Sequence, residues 1–241
     1  MQIISIIGII ICLPYSFTIS SPIKKKKTLV IMDKISQYFD NLNADQLAKF
    51  IQLKPLYQSY NEKVNLISRK DMDAFYLHHV LHSLSLSAFI SWTSKCKILD
   101  LGTGGGFPLI PLAILYPEVE FTGIDGTGKK IKAVQFIANE LQLNNVQAFP
   151  TRAEDFDGRF HYIISRAVCT LSLLSQYSND LLYKKSICPL PNGIIAYKGG
   201  DLKNEINDIQ KQHYYEIWDI HSKFPEPYFI EKKLVYLQGK E

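Results

Sequence analysis

Lys97-Ile98-Leu99-Asp100-Leu101-Gly102-Thr103-Gly104-Gly105-Gly106-Phe107-Pro108 is the stretch that decides how this chain is read. Its first five residues form a mostly apolar run of strand length. The next five include four glycines, which allow a tight turn and let the backbone approach a ligand closely. Pro108 suits the first turn of a helix, where its missing N–H has no partner to lose. Strand, glycine turn and helix start together open a unit in which parallel strands are joined by helices.

Outward from this stretch, short apolar runs alternate with helical periodicity. Strands are expected over 97–101, 119–124, 146–149, 161–165 and 194–198, with helices near 108–115, 129–141, 171–182 and 202–212 between and after them. That alternation implies a parallel sheet covered on both faces. Two late β-rich runs, 214–220 and 233–237, flank Pro225 and Pro227 and read as an antiparallel pair closing a seven-stranded sheet. Upstream, residues 32–92 read as a helical appendage. Asn43 is placed to cap a helix carrying Leu47, Phe50, Ile51 and Leu53 on one face, and a second helical stretch runs from 71 to about 90. The α/β domain then spans 93–241.

Composition is that of an ordinary globular chain: 241 residues, 46% hydrophobic and 21% charged. Cys12, Cys96, Cys169 and Cys188 are too few and too scattered for a disulfide scaffold, and no CxxC pair suggests zinc. His78 and His82 share a helix face, but no further ligand stands at a sensible spacing, so no metal is expected. The net charge of +4 comes wholly from Lys24, Lys25, Lys26 and Lys27; without them 23 basic residues face 23 acidic ones. Charge alone therefore gives no argument for a nucleic-acid partner. The apolar run 3–12 lacks a preceding basic residue and is too short to span a bilayer. Residues 1–31 are expected to be an extension outside the working protein, with Met32 as the start and no membrane association.

Asp125 lies 23 residues beyond Gly102, at the end of the second expected strand, where an acid can take the two hydroxyls of an adenosine ribose. A dinucleotide fingerprint wants a third glycine at 107, and Phe107 stands there. S-adenosylmethionine has no pyrophosphate and does not need that glycine. It needs a loop around its amino-acid part, an acid on the ribose and a polar group after the third strand, where Thr151-Arg152-Ala153-Glu154 falls. Gly123-Ile124-Asp125-Gly126-Thr127-Gly128-Lys129-Lys130 nearly matches a phosphate loop, but Lys130 replaces the required hydroxyl and Asp125 would repel phosphate.

Further motifs run along the chain: Asn65-Leu66-Ile67-Ser68-Arg69-Lys70-Asp71, His79-Val80-Leu81-His82-Ser83-Leu84, Gly128-Lys129-Lys130, Ser165-Arg166-Ala167 and Lys198-Gly199-Gly200. With the glycine stretch they resemble the bacterial small-subunit ribosomal RNA guanine-N7 methyltransferases, the glucose-inhibited division protein B family. The resemblance covers Met32 to about Leu237. It implies a class I, Rossmann-like methyltransferase fold, S-adenosyl-L-methionine as cofactor, and methylation of one guanine of 16S ribosomal RNA in the small subunit. A cytoplasmic monomer is expected. Carried onto this chain, the cofactor contacts fall on Gly102, Phe107, Ala153, Glu154 and Arg166, beside the Gly104 and Asp125 read from spacing. His79, Lys129 and Lys198 are the expected substrate contacts. The chain departs from the family with Gly126 after the acid in place of serine, Leu109 in place of glycine, and His78-His79 in place of an Arg-His pair.

The chemistry agrees. Guanine N7 carries its lone pair already, so its methylation needs positioning and desolvation rather than a general base. Methylation at pyrimidine C5 would need a nucleophilic cysteine, and neither Cys169 nor Cys188 follows a proline. The loop 165–168 lacks the Pro-Pro-aromatic pattern typical of exocyclic amine methylation. A class I enzyme acting on protein or a small molecule, and a module without turnover, are the competing readings.

Overall fold

A computed structural model describes residues 35–166 and 168–239. The expectations for residues 1–31, for a start at Met32 and for Cys12 lie outside the described residues. The chain parts into two units, 1–40 and 41–241. In the first, the described residues make one turn, with the Tyr38 and Phe39 amides donating to the Ile35 carbonyl. The second holds everything below.

It opens with α1 (Ala44–Asn61). Asn43 accepts from the Gln46 amide at 2.9 Å while the Gln46 side chain accepts from the Asn43 amide at 3.0 Å, a reciprocal cap that starts the helix. The expected single helix over 71–90 is instead broken. It consists of α2 (Arg69–Asp73), a π-helical turn Tyr76–Leu81, α3 (His82–Leu84) and a 3-10 turn Ser85–Ala88. The wider π turn leaves the His78 carbonyl free to accept from Arg166 and from Tyr228.

Seven strands follow: β1 (Lys97–Leu101), β2 (Glu120–Ile124), β3 (Val146–Phe149), β4 (Tyr162–Arg166), β5 (Gly193–Gly199), β6 (Tyr215–Asp219) and β7 (Lys232–Gln238). Their order is β3-β2-β1-β4-β5-β7-β6, with β7 antiparallel to both of its neighbours. The sheet is mostly parallel, as the alternation of elements requires, and the late pair closes it with β7 placed inside β6. Helices α4 (Leu109–Leu115), α5 (Gly128–Glu140), α6 (Leu171–Ser178) and α7 (Lys203–Ile209) make the crossovers. The six residues Leu109 to Ile114 of α4 are all buried, and the Gln46 side chain donates to the Ile114 and Leu115 carbonyls at 3.0 Å each. A helix this apolar must be covered on every side, and α1 covers it. Chain direction across the sheet reverses between β1 and β4. In open sheets that reversal makes a crevice beyond the carboxyl ends of the strands.

Candidate functional site

The 102–107 loop fills that crevice. The Gly102 and Thr103 amides both donate to the Ile124 carbonyl at 2.9 Å, joining the ends of β1 and β2. Gly102, Gly104 and Gly106 have φ of 74°, 56° and 89°, a region that side chains disfavour. Each glycine has a different neighbour. A Cβ at Gly102 would overlap Val168, and one at Gly106 would lie 2.9 Å from Ile110 Cγ1 and 3.0 Å from the Tyr57 hydroxyl. A Cβ at Gly104 would meet nothing nearer than the Gly102 carbonyl at 3.9 Å. Gly104 thus presents bare backbone to open space.

Asp125 follows β2 directly, with its side chain 13% exposed. Its Oδ2 accepts from the Gly104 amide at 3.1 Å and its Oδ1 from the Thr127 amide at 2.7 Å. Each oxygen keeps a lone pair for a ligand. Beside it lies a cavity of about 210 Å³ whose walls include Gly102, Ile124, Ala153, Glu154 and Val168. The residues fit an adenosine: Ile124, Ala153 and Val168 give apolar walls for a flat base, and Asp125 offers acceptors to ribose hydroxyls. Glu154 stands in a 3-10 turn at the rim. Hydrogen bonds from its own backbone amide and from the Tyr177 hydroxyl hold its carboxyl below the usual pKa.

Phe107 and Arg166, expected in the same set, form a second group behind the loop. The Phe107 ring, 5% exposed, lies 4.7 Å from Tyr57, 4.9 Å from His79 and 5.9 Å from Phe75. Arg166 ends β4 and stands 5.3 Å over the Phe107 ring. It donates to the His78 carbonyl at 3.4 Å and to His79 Nδ1 at 3.1 Å. A guanidinium only donates, so His79 must accept at Nδ1 and carry its proton on Nε2. Burial first, and then the Arg166 charge, push the His79 pKa down to about 4, so the ring is neutral near pH 7.

The other expected substrate contacts diverge. Lys129 is exposed at the start of α5. Lys198 is 12% exposed, and its ammonium donates to the Cys169 carbonyl and to Glu205, each at 2.7 Å. His78 stacks on Tyr228 and meets Asp71, and His82 meets the Tyr228 hydroxyl. Gly123 of the near phosphate loop is a β2 residue paired between Asp100 and Ala148, so no loop closes there.

Two residues of the site carry no signal in the spacing. Asp100, wholly buried in β1, accepts from the Leu109 amide at 3.3 Å. Burial raises its pKa to about 7, against the opposing pull of the Thr103 hydroxyl and Arg166. Tyr57 of α1 donates its hydroxyl to the Gly105 carbonyl at 2.7 Å.

With this geometry in view, the likenesses of the chain become informative. Residues 46–223 match the model of a family described as rRNA small subunit methyltransferase G (GidB). The chain belongs to that family. Among relatives named ribosomal RNA small subunit methyltransferase G, that of Christiangramia forsetii is 42% identical over 209 residues, covering 87% of this chain and 98% of the relative. That of Flavobacterium johnsoniae is 44% identical over 209 residues, covering 87% and 99%. Among solved structures, magnesium protoporphyrin IX methyltransferase from Synechocystis PCC 6803, with bound SAM, superposes with a TM-score of 0.54 at 13% identity. That match covers 77% of this chain and 97% of the other, and it shows that the chain shares the Rossmann-like methyltransferase fold.

Proposed function

We propose that the protein is an S-adenosyl-L-methionine-dependent methyltransferase acting on N7 of one guanine in the 16S ribosomal RNA of the small subunit, in the cytoplasm and as a monomer. The observation that carries this reading is a family match spanning most of the chain, laid over a glycine loop whose central residue faces open space beside Asp125. A protein or small-molecule acceptor finds no support among relatives whose names all specify ribosomal RNA. Among the described residues, no helix is long and apolar enough to cross a membrane.

Gly102, Gly104, Asp125, Ala153 and Glu154 are the residues that would hold the cofactor, with Phe107 and Arg166 behind the loop. When bound, the cofactor supplies a methyl group on a cationic sulfur, open to attack by a lone pair. The chain's own task is then to bind, orient and exclude water. Asp125 fixes the loop while keeping acceptors for hydroxyls. Arg166 holds a positive charge at the end of β4, suited to a carboxylate or a phosphate. Neutral His79, its acceptor nitrogen occupied by Arg166, is not placed to take a proton, and N7 gives none up. Of the two expected substrate lysines, Lys129 is the exposed one and is the proposed contact for RNA phosphate, because Lys198 is committed to Glu205.

Borohydride and aniline cleavage followed by primer extension on 16S RNA from cells with and without the gene tests the reading. N7-methylguanine is cationic and its ring opens selectively. One stop present only with the gene is expected; identical patterns would reject the function.

A further inference from the structure

The glycine loop is held from outside the sheet by a segment far away in sequence. Tyr57 is wholly buried on α1, and its hydroxyl donates to the Gly105 carbonyl at 2.7 Å. The absent side chain of Gly106 makes room for that hydroxyl, since a Cβ there would stand 3.0 Å from it. Four residues on, Asn61 organises the connection after α1. Its side-chain oxygen accepts from the Leu66 and Ile67 amides at 2.7 and 3.0 Å, and its amide donates to the Ile67 carbonyl at 2.8 Å. The turn so formed sets Leu66 against Gly105, with Leu66 Cβ and the Leu66 carbonyl 3.5 and 3.6 Å from where a Gly105 Cβ would be.

Gly104 and Gly105 carry little intrinsic preference for one backbone state, so a free loop of this composition would sample many. Two tethers restrict it. Asp125 holds the Gly104 amide from the ligand side, and Tyr57 holds the Gly105 carbonyl from the opposite side. We infer that Tyr57 is a positioning residue for the cofactor loop. Through Gly105 it holds the backbone in the binding-competent state, so the helical region sets cofactor affinity without touching the cofactor. The inference rests on the proposed cofactor reading. A loop ordered before binding spares the ligand the cost of ordering it.

Tyr76 supplies an internal control. It too is a buried tyrosine, and its hydroxyl donates to the Phe50 and Ile51 carbonyls of α1, away from the loop. Tyr57→Phe and Tyr76→Phe each delete one buried hydroxyl and keep the ring. Titration calorimetry of the full chain with S-adenosylmethionine, thermal melting and steady-state kinetics are compared across the wild type and both variants. Losing one such bond should weaken cofactor binding roughly five- to tenfold in Tyr57→Phe. KM for the cofactor should rise in step and kcat at saturation should hold. Tyr76→Phe should lose similar thermal stability at unchanged affinity. Equal affinity in folded Tyr57→Phe and wild type overturns the inference, as does an equal loss in both variants. If Tyr57→Phe does not fold, hydrogen exchange of the wild-type loop amides takes its place: protection at Gly104 and Gly106 already present without cofactor is expected, and protection that arises only on adding S-adenosylmethionine overturns the inference. A wild-type chain that binds no cofactor defeats the proposed function itself, a separate outcome.

Discussion

Replacing Asp125 by asparagine removes a charge with almost no change of shape. In the structure its two oxygens divide their work, Oδ2 on the Gly104 amide at 3.1 Å and Oδ1 on the Thr127 amide at 2.7 Å. One lone pair on each remains for a ribose hydroxyl. Asparagine puts an NH2 where one oxygen was, so in either orientation a backbone N–H faces a donor and one hydroxyl loses its acceptor. A hydrogen bond to a charged acceptor contributes about 1.5–3 kcal/mol, and one ribose bond of that kind is lost. That is a fall in cofactor affinity of about tenfold to 150-fold. Lys130 Nζ, 3.9 Å from the carboxylate and partly exposed, adds little. Calorimetry with S-adenosylmethionine and with S-adenosylhomocysteine, which share the ribose, should show the same loss for both. Circular dichroism must confirm that Asp125→Asn is folded. A folded variant binding within about threefold of wild type would refute Asp125 as the ribose ligand and with it the assignment of the cavity.

The glycines should separate by function. Gly104→Ala should cost only about 1–2 kcal/mol of stability, from its positive φ, yet abolish cofactor binding. Gly106→Ala should cost more, about 2–4 kcal/mol, as its Cβ meets Ile110 and Tyr57 as well; melting and calorimetry together check the pair, and retained binding in Gly104→Ala would contradict the cradle. Lys198→Met should lower Tm through loss of its bonds to Glu205 and Cys169. Glu205→Gln should do the same, whereas a variant with unchanged Tm and weaker RNA binding would return Lys198 to the RNA. Asp100 gives a pH dependence. The folded chain holds its proton up to about pH 7, while the carboxyl's ordinary pKa is 3.8. Between those values the unfolded state binds fewer protons, so the contribution of neutral Asp100 is present in acid and lost as pH rises through the window. Wild type should therefore lose more Tm from pH 5 to 8 than Asp100→Asn; parallel losses would contradict this.

The strands and the glycine turn were legible because each is written locally. Runs such as Ile163-Ile164 and Ile194-Ile195 are apolar because both sheet faces are covered, and Asp125 falls at a spacing that strand lengths dictate. What escaped the sequence depends on distance along the chain. Tyr57 on an apolar helix face reads as core until Gly105, 48 residues on, is seen at its hydroxyl. Lys198 reads as a free cation until α7 brings Glu205 to it. The break at the π turn is invisible in the 71–90 periodicity, because it answers to Arg166 and Tyr228 from other parts of the fold.

The place of β7 bears on self-association. β5 is the last strand of the parallel set, and its residues Ile194, Ile195, Ala196 and Tyr197 are buried on both faces. On its outer side it pairs only with β7, along seven residues from Gly193↔Gln238 to Gly199↔Lys232. β6 in turn pairs with β7, so the β5–β7 ladder joins the hairpin to the parallel set, with Trp218 of β6 stacked on Phe89 beside it. Were that ladder to peel away, β5 would present a seven-residue row of free amides and carbonyls, with Lys198 near its end as its one charge, a template for strands from other molecules. β6, which replaces it at the rim, carries Glu216 and Asp219, and charges at an edge discourage such pairing. The C-terminal hairpin thus acts as a guard against self-association, and damage to it should first appear as aggregation, with the cofactor loop on the far side of β4 still intact.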